Sequence, residues 1–393
     1  MYAGFSDELG IGSGGDAGKE RDTDMTLTNY WWLLIWLFVA GGILTIAVPK
    51  RPVKVLGKTE YRWSWWAALL LVIPYIIAAT FRTDAMVGDT ASYRRWFLSM
   101  PTTISEWPGV LAEVTKDKGF SVLLLLLRLI FRNADIMFFL VIALFQILVV
   151  AMVCRKYSCD YWMSIFMFIA TTDYISWVNN GLRQFVAVTI IFAATDLMLE
   201  KKYIPTIVLI LLASTIHGSA LLMLPIVFII QGKPWNKKTI LLVLASIVAL
   251  YFADQFTNIL DNLLSDTAYT NMVSDWQEWN DDGTNPLRVL VYSMPTILSL
   301  IGLKYIKAED DPVINMATNA SLVSTALYII SMGTSGIFMG RLPIYVSMYS
   351  MYILLPWEIE HMFTEDSARL IKICTVVLFS VFFGYQMHAW GLL

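Results

Sequence analysis

Charge is what this chain has least of. Its 393 residues hold 28 Lys or Arg and 31 Asp or Glu, 15% in all, where a soluble domain carries about 25%. So few charges cannot cover a soluble surface, which excludes an ordinary globular enzyme. The net charge of −3 excludes a nucleic-acid partner, because phosphate backbones need clustered positive charge. Cysteine is also scarce: Cys154, Cys159 and Cys374 make neither a disulfide framework nor a metal cage. No HExxH or paired CxxC occurs, so the sequence demands no metal and no cofactor. Gly10–Gly15 is glycine-rich but follows no strand and lacks the Lys-Ser/Thr of a phosphate loop. Apolar residues are plentiful, at 57% with a mean hydropathy of +0.62. The chain reads as an integral membrane protein.

A membrane helix needs about 20 mostly apolar residues to cross a core ~30 Å thick. The hydropathy places spans near 30–48, 65–80, 136–153, 161–178, 183–199, 203–215, 218–231, 239–253, 288–303, 314–332, 342–356 and 370–388. Residues 119–131 are apolar but too few to stand upright across the membrane, and Arg128 lies inside them. They read as a half-inserted or interfacial helix.

Lysine and arginine stay on the cytoplasmic side, and that rule supports the non-crossing reading. If 119–131 does not cross, sixteen basic residues fall inside, five of them in the 49–64 connection. The expected fold is therefore all-α, a polytopic bundle of about twelve transmembrane helices with both termini outside. Residues 1–29 read as a disordered outer tail, with Met25 as a candidate natural start. Residues 30–393 read as a single polytopic membrane domain with outer loops at 81–118 and 254–287.

This topology sorts the charges by type. Twelve of the sixteen inner basic residues are lysine, whereas the outer side holds nine arginines. They are Arg21, Arg82, Arg94, Arg95, Arg128, Arg132, Arg183, Arg288 and Arg341. A guanidinium forks onto phosphate or carboxylate, which an ammonium does not. The outer arginines therefore suit an anionic ligand, or else they pair with outer acids and lipid headgroups.

Particular outer residues carry candidate chemistry. Asp89, in Gly88-Asp89-Thr90, either caps the following helix or serves as a general base. Tyr93, Arg94 and Arg95 follow it, and Asp117 leads into the half-inserted segment. Asn180, Arg183 and Gln184 begin a span, where free amides favour anions; the alternative is a bridge from Arg183 to Asp173 or another outer acid. His217 sits at the tip of an apolar hairpin, either as a structural histidine or in proton transfer. His361 and His388 read as interfacial. Arg341 follows the flexible run Gly333-Thr334-Ser335-Gly336, with Tyr345 one turn on. Two span starts tipped with arginine would suit a pyrophosphate. The 254–287 loop interleaves Trp276 and Trp279 with Asp275, Glu278, Asp281 and Asp282, which suits either a sugar chain or the headgroup boundary.

Taken in order, Gly88-Asp89…Tyr93, Asp117-x-Gly119-Phe120, Asn180-x-x-Arg183-Gln184, Lys201-Lys202, His217-x-Ser219-Ala220 and Gly340-Arg341…Tyr345 resemble the EpsG family. Its members are Wzy-like polymerases of bacterial exopolysaccharide, capsule or O-antigen. The likeness covers 82–230 well and the C-terminal third loosely. Asp117 stands where glutamate is more usual, and the 254–287 loop matches no family pattern.

The resemblance implies a GT-C-like glycosyltransferase of the bacterial cell membrane. It would join repeat units carried on undecaprenyl pyrophosphate at the outer leaflet, without metal. Its partners would be lipid-linked donor and acceptor oligosaccharides and membrane lipids, with a chain-length regulator and a flippase as candidates. Asp89, His217, Arg183 and Arg341 would be catalytic, and either Asp89 or His217 the base. Tyr93, Arg94, Arg95, Asp117, Asn180, Gln184 and Tyr345 would bind substrate. A transporter or flippase of lipid-linked sugars, or an O-antigen-type ligase, are the competing readings.

Overall fold

The computed structural model describes residues 30–84, 88–252, 259 and 283–391. The expected tail at 1–29 and nearly all of the 254–287 loop, with its Trp and acidic residues, lie outside the described residues. Within them the chain is mostly helical. The helices Asp135–Tyr157, Pro312–Met332 and Glu365–Ala389 are long and apolar enough to cross a membrane. Pro286–Ile301 and Leu303–Glu309 form a fourth candidate, bent by 71° at Gly302. Shorter apolar helices, among them Trp31–Ala47, Trp65–Thr80, Leu182–Ala193 and Tyr203–Ile216, complete the bundle.

Lipid contact is written on the surface. Ile46 is 90% exposed, Val39 57%, Ile77 51% and Leu241 67%, a density of open apolar side chains that water would not tolerate. Inside, one contiguous apolar cluster runs from Tyr30 to Met387. Aromatic residues there hide their polar tips on helix carbonyls, as an apolar medium requires. Tyr75 Oη donates to the Leu33 carbonyl at 2.7 Å, Tyr174 Oη to that of Tyr75 at 2.7 Å, and Trp162 Nε1 to that of Leu37 at 3.0 Å.

Three local features depart from a bundle of unbroken helices. The fold is not purely helical, since Arg51–Val55 and Lys58–Arg62 pair as an antiparallel hairpin. The turn Leu56-Gly57, both at positive φ, closes a two-residue loop, a signal hidden among the basic residues. The 161–178 span is broken: an α-helix at Tyr161–Ala170 ends, and a π-helical segment follows at Tyr174–Asn180. The 342–356 span is likewise interrupted by a π-helical segment at Ser350–Leu354. Such segments insert an extra residue per turn and cluster at functional sites.

Contacts between connections sort into two ends. At one end Arg155 Nε donates to the Trp63 carbonyl at 2.7 Å, Lys58 pairs with Asp311 at 3.8 Å, Lys233 with Asp310, and Lys372 with Asp160. At the other, Arg82 reaches the Val178 carbonyl at 2.8 Å, and Gly218 N–H reaches Asp117 at 3.2 Å. Ser219 meets Tyr345 there at 3.0 Å.

Lys118–Phe131 joins the second end. At 14 residues it is about 21 Å long, short of the hydrocarbon thickness. Asp117 ties its start to Arg183 and Gly218, and Arg128 ties its finish to the Leu98 and Met100 carbonyls, both at 3.0 Å. Its start thus meets the segments that carry Arg183 and His217, and its finish meets the connection that follows Thr90–Ser99.

Candidate functional site

The site is assembled from segments far apart in sequence. Gly88 has φ +96°, a backbone conformation that favours glycine. A Cβ there would lie 2.8 Å from Asn180 Cβ, so the Gly88-Asp89 turn is seated against Asn180. Asp89 begins the helix Thr90–Ser99 without a side-chain capping bond. Its half-buried carboxylate makes no hydrogen bond to any described residue. Burial raises its pKa above the usual carboxylate value, and the nearby Arg341 and Arg183 partly oppose that rise. The capping alternative is removed.

Asp117 also departs from a simple cap. It adopts φ +53°, and its carboxylate turns from its own helix to Arg183 Nη1 at 2.9 Å and Gly218 N–H at 3.2 Å. Burial raises its pKa, against the pull of Arg183 and the Gly218 amide. The bridging alternative for Arg183 is therefore realised with Asp117, another outer-loop acid, whereas Asp173 is engaged elsewhere. Arg183 also lies over the Trp96 ring, 5.3 Å from its centroid, so an ion pair and an aromatic face fix its guanidinium.

His217 shares a 2.7 Å hydrogen bond through Nδ1 with Ser219 Oγ, which in turn meets Tyr345 Oη at 3.0 Å. Burial, then the Arg183 and Arg341 charges, push its pKa down to about 3. His217 is therefore a neutral imidazole at physiological pH. Gln184 Nε2 donates to the Arg341 carbonyl at 3.1 Å and joins the two arginine-bearing segments directly.

Arg341 is half-buried, and its guanidinium has no hydrogen-bond or ion-pair partner among the described residues. It closes a 3-10 turn, Met339–Arg341, and does not itself begin a helix. The expected pair of arginine-tipped helix starts is thus half realised: Arg183 is the second residue of Leu182–Ala193, whereas Arg341 sits on a turn.

Other arginines are occupied structurally. Arg82 donates to the Ala79 and Val178 carbonyls. Arg94 pairs with Asp84 and, at 2.6 Å, with Asp135, and both guanidiniums lie over the Phe139 ring. Arg95 is exposed and reaches Ser92 at 3.3 Å. Tyr93 is buried edge-on to Phe120 and packs the outer helix onto the half-inserted one. The convergent set is therefore Asp89, Asp117, Asn180, Arg183, Gln184, His217, Arg341 and Tyr345.

The family model for EpsG matches residues 65–391. The chain belongs to the EpsG family. The match spans every segment that builds the site. No curated protein and no solved structure matches the chain.

Two roles in this EpsG protein show only in the folded chain. Trp96 supplies the face beneath Arg183, and nothing in its local sequence separates it from the other tryptophans. Asp173 accepts hydrogen bonds from Tyr292 at 2.6 Å, Tyr352 at 2.5 Å and Trp177 at 3.3 Å. Trp177 and Tyr352 belong to the two π-helical segments. Asp173 therefore fastens both irregular segments together just before the Asn180–Arg183 turn. Its two tyrosine partners lie more than a hundred residues ahead, so no local pattern reveals them.

Proposed function

We propose that this membrane protein of polysaccharide biosynthesis is a polymerase that joins repeat units carried on undecaprenyl pyrophosphate at the outer leaflet. The shorter apolar helices complete about twelve spans in this reading, with the site facing outward. The observation that carries it is the convergence of Arg183 and Arg341 on an unbonded carboxylate, Asp89, beside the short helix Lys118–Phe131. Two guanidiniums suit a pyrophosphate. Backbone that is irregular at membrane depth suits a cavity.

In this mechanism the acceptor's terminal sugar hydroxyl attacks the anomeric carbon of the donor chain. The bond from that carbon to the phosphate oxygen breaks, and undecaprenyl pyrophosphate leaves. Arg183 and Arg341 stabilise the charge that grows on the leaving group. Asp89 takes the hydroxyl proton, since a carboxylate with a raised pKa is poised for general-base work. His217, neutral and already bonded to Ser219, orients the acceptor. The 119–131 segment walls the groove for the lipid tail.

The test is purified full-length protein supplied with lipid-linked repeat units. Elongation with release of the pyrophosphate carrier is expected. Arg183→Ala and Arg341→Lys should each lower the rate ~10²-fold or more while the protein still reaches the membrane. Movement of the lipid across a bilayer without elongation would indicate a transporter. Transfer of glycan only to a different acceptor would indicate a ligase.

A further inference from the structure

At the end of the bundle opposite this site, the structure brings together three residues that the sequence holds far apart. Cys159 lies in the short connection after Asp135–Tyr157, and Glu360 and His361 end the helix Leu355–His361. One donor atom from each, a thiol, a carboxylate oxygen and an imidazole nitrogen, lies within 4.8 Å of the others. We propose that Cys159, Glu360 and His361 form a binding site for a zinc-class divalent cation that staples the two halves of the chain together.

The donor set selects the metal class. One sulfur, one nitrogen and one oxygen suit a borderline ion such as Zn²⁺, whereas Mg²⁺ and Ca²⁺ take oxygen ligands. Bonds of about 2.0–2.3 Å in a tetrahedron put ligand atoms roughly 3.5 Å apart, so closure needs side-chain shifts of about 1 Å. Glu360 and His361 are exposed and free to make that shift, and their exposure gives the ion a way in.

Local order favours the imidazole as a ligand. His361 Nδ1 is 3.1 Å from the Trp357 carbonyl, and donation to it leaves the Nε2 lone pair available, the outer arrangement usual for metal-bound histidine. The imidazole also stacks on the Trp357 ring, with centroids 5.0 Å apart and planes 6° from parallel. Asp160 is not a fourth ligand. One of its oxygens accepts the Met163 amide at 3.1 Å, and the other holds Lys372. Three protein ligands leave one position for water.

The site belongs to neither the outer arginine pair nor the proposed transfer reaction, so its test needs no glycan. Cobalt(II) replaces zinc and gives thiolate-bound sites a charge-transfer band. Titrating Co²⁺ into the purified, detergent-solubilised full chain should give one saturable band that Zn²⁺ abolishes. Cys159→Ser should remove the band, and Cys154→Ser and Cys374→Ser should keep it. Glu360→Gln and His361→Ala should each weaken binding about tenfold or more.

Zinc should also shield Cys159 from maleimide labelling in the unsubstituted protein, a readout that survives if a variant fails to fold. It should raise the thermal midpoint of that protein but not of His361→Ala. No saturable band, a band that persists in Cys159→Ser, or labelling of Cys159 indifferent to zinc would each overturn the proposal.

Discussion

Arg183 Nη1 stands 2.9 Å from Asp117 Oδ2, and the other oxygen of Asp117 takes the Gly218 amide at 3.2 Å. One carboxylate thus positions the guanidinium and the loop that carries His217. The Asp117 side chain is 7% exposed and that of Arg183 25%, so solvent screens the pair only partly.

Asp117→Asn keeps the shape and removes the charge. It should cost about 1–3 kcal/mol of stability, as expected for a hydrogen bond to a charged group, and should lower elongation by freeing Arg183. Asp117→Glu should restore most activity, because the longer carboxylate still reaches Arg183. Thermal melts and chain-length profiles of the two variants decide this. Equal activity in the Asn and Glu forms would show that the charge does not matter.

Asp89 should set the acid limb of the pH–rate profile. A base must be ionised, so activity is lost as pH falls through its pKa, and burial lifts that pKa above the ordinary 3.8. Asp89→Asn should lower the rate by about 10²–10⁴. His217→Gln should leave the limb where it is. A limb that moves with His217, or near-full activity in Asp89→Asn, would return the role of base to the histidine.

His217 makes a separate prediction about stability. Its folded pKa is depressed to about 3 from 6.5. Between those values the unfolded chain binds the proton and the folded one does not, so stability rises with pH and levels off above 6.5. Replacing His217 with Gln should flatten the decline between pH 6.5 and 3. Thermal midpoints across that range measure it, and an unchanged slope would mean that the imidazole is less desolvated than its surroundings imply.

The sequence was informative where physics is local. Long apolar runs marked the helices that are long and apolar enough to cross a membrane. The short apolar run at 119–131 marked the helix Lys118–Phe131. Arg183, Asp117 and His217 were visible as polar residues at span ends. What stayed hidden depends on distant partners. Asp173 is held by Tyr292 and Tyr352, Arg82 and Arg94 satisfy carbonyls and acids, and Cys159 meets His361 only in the folded bundle. The π-helical segments were invisible because an inserted residue leaves hydropathy unchanged. The hairpin at 51–62 was masked because its residues also satisfy the rule for basic connections.

Gly119 tests how tightly the half-inserted helix must sit. A Cβ at this position would lie 2.1 Å from Thr215 Oγ1, 2.7 Å from Thr215 Cβ and 2.8 Å from the Thr215 carbonyl carbon. Because backbone is among these atoms, a rotamer change in Thr215 cannot relieve the clash. Gly119→Ala should therefore push Lys118–Phe131 away from Tyr203–Ile216 at a cost of about 1–3 kcal/mol, and should draw Asp117 off Arg183 and Gly218. Thr215→Ala should rescue it only in part, since the carbonyl carbon remains. A disulfide-trapping pair, Leu123→Cys with Leu211→Cys, each one turn from the contact between Gly119 and Thr215 on the same helix face, reports the separation of the two helices. Cross-linking as fast in Gly119→Ala as in the unsubstituted glycine background would show that the helix tolerates the extra carbon without moving.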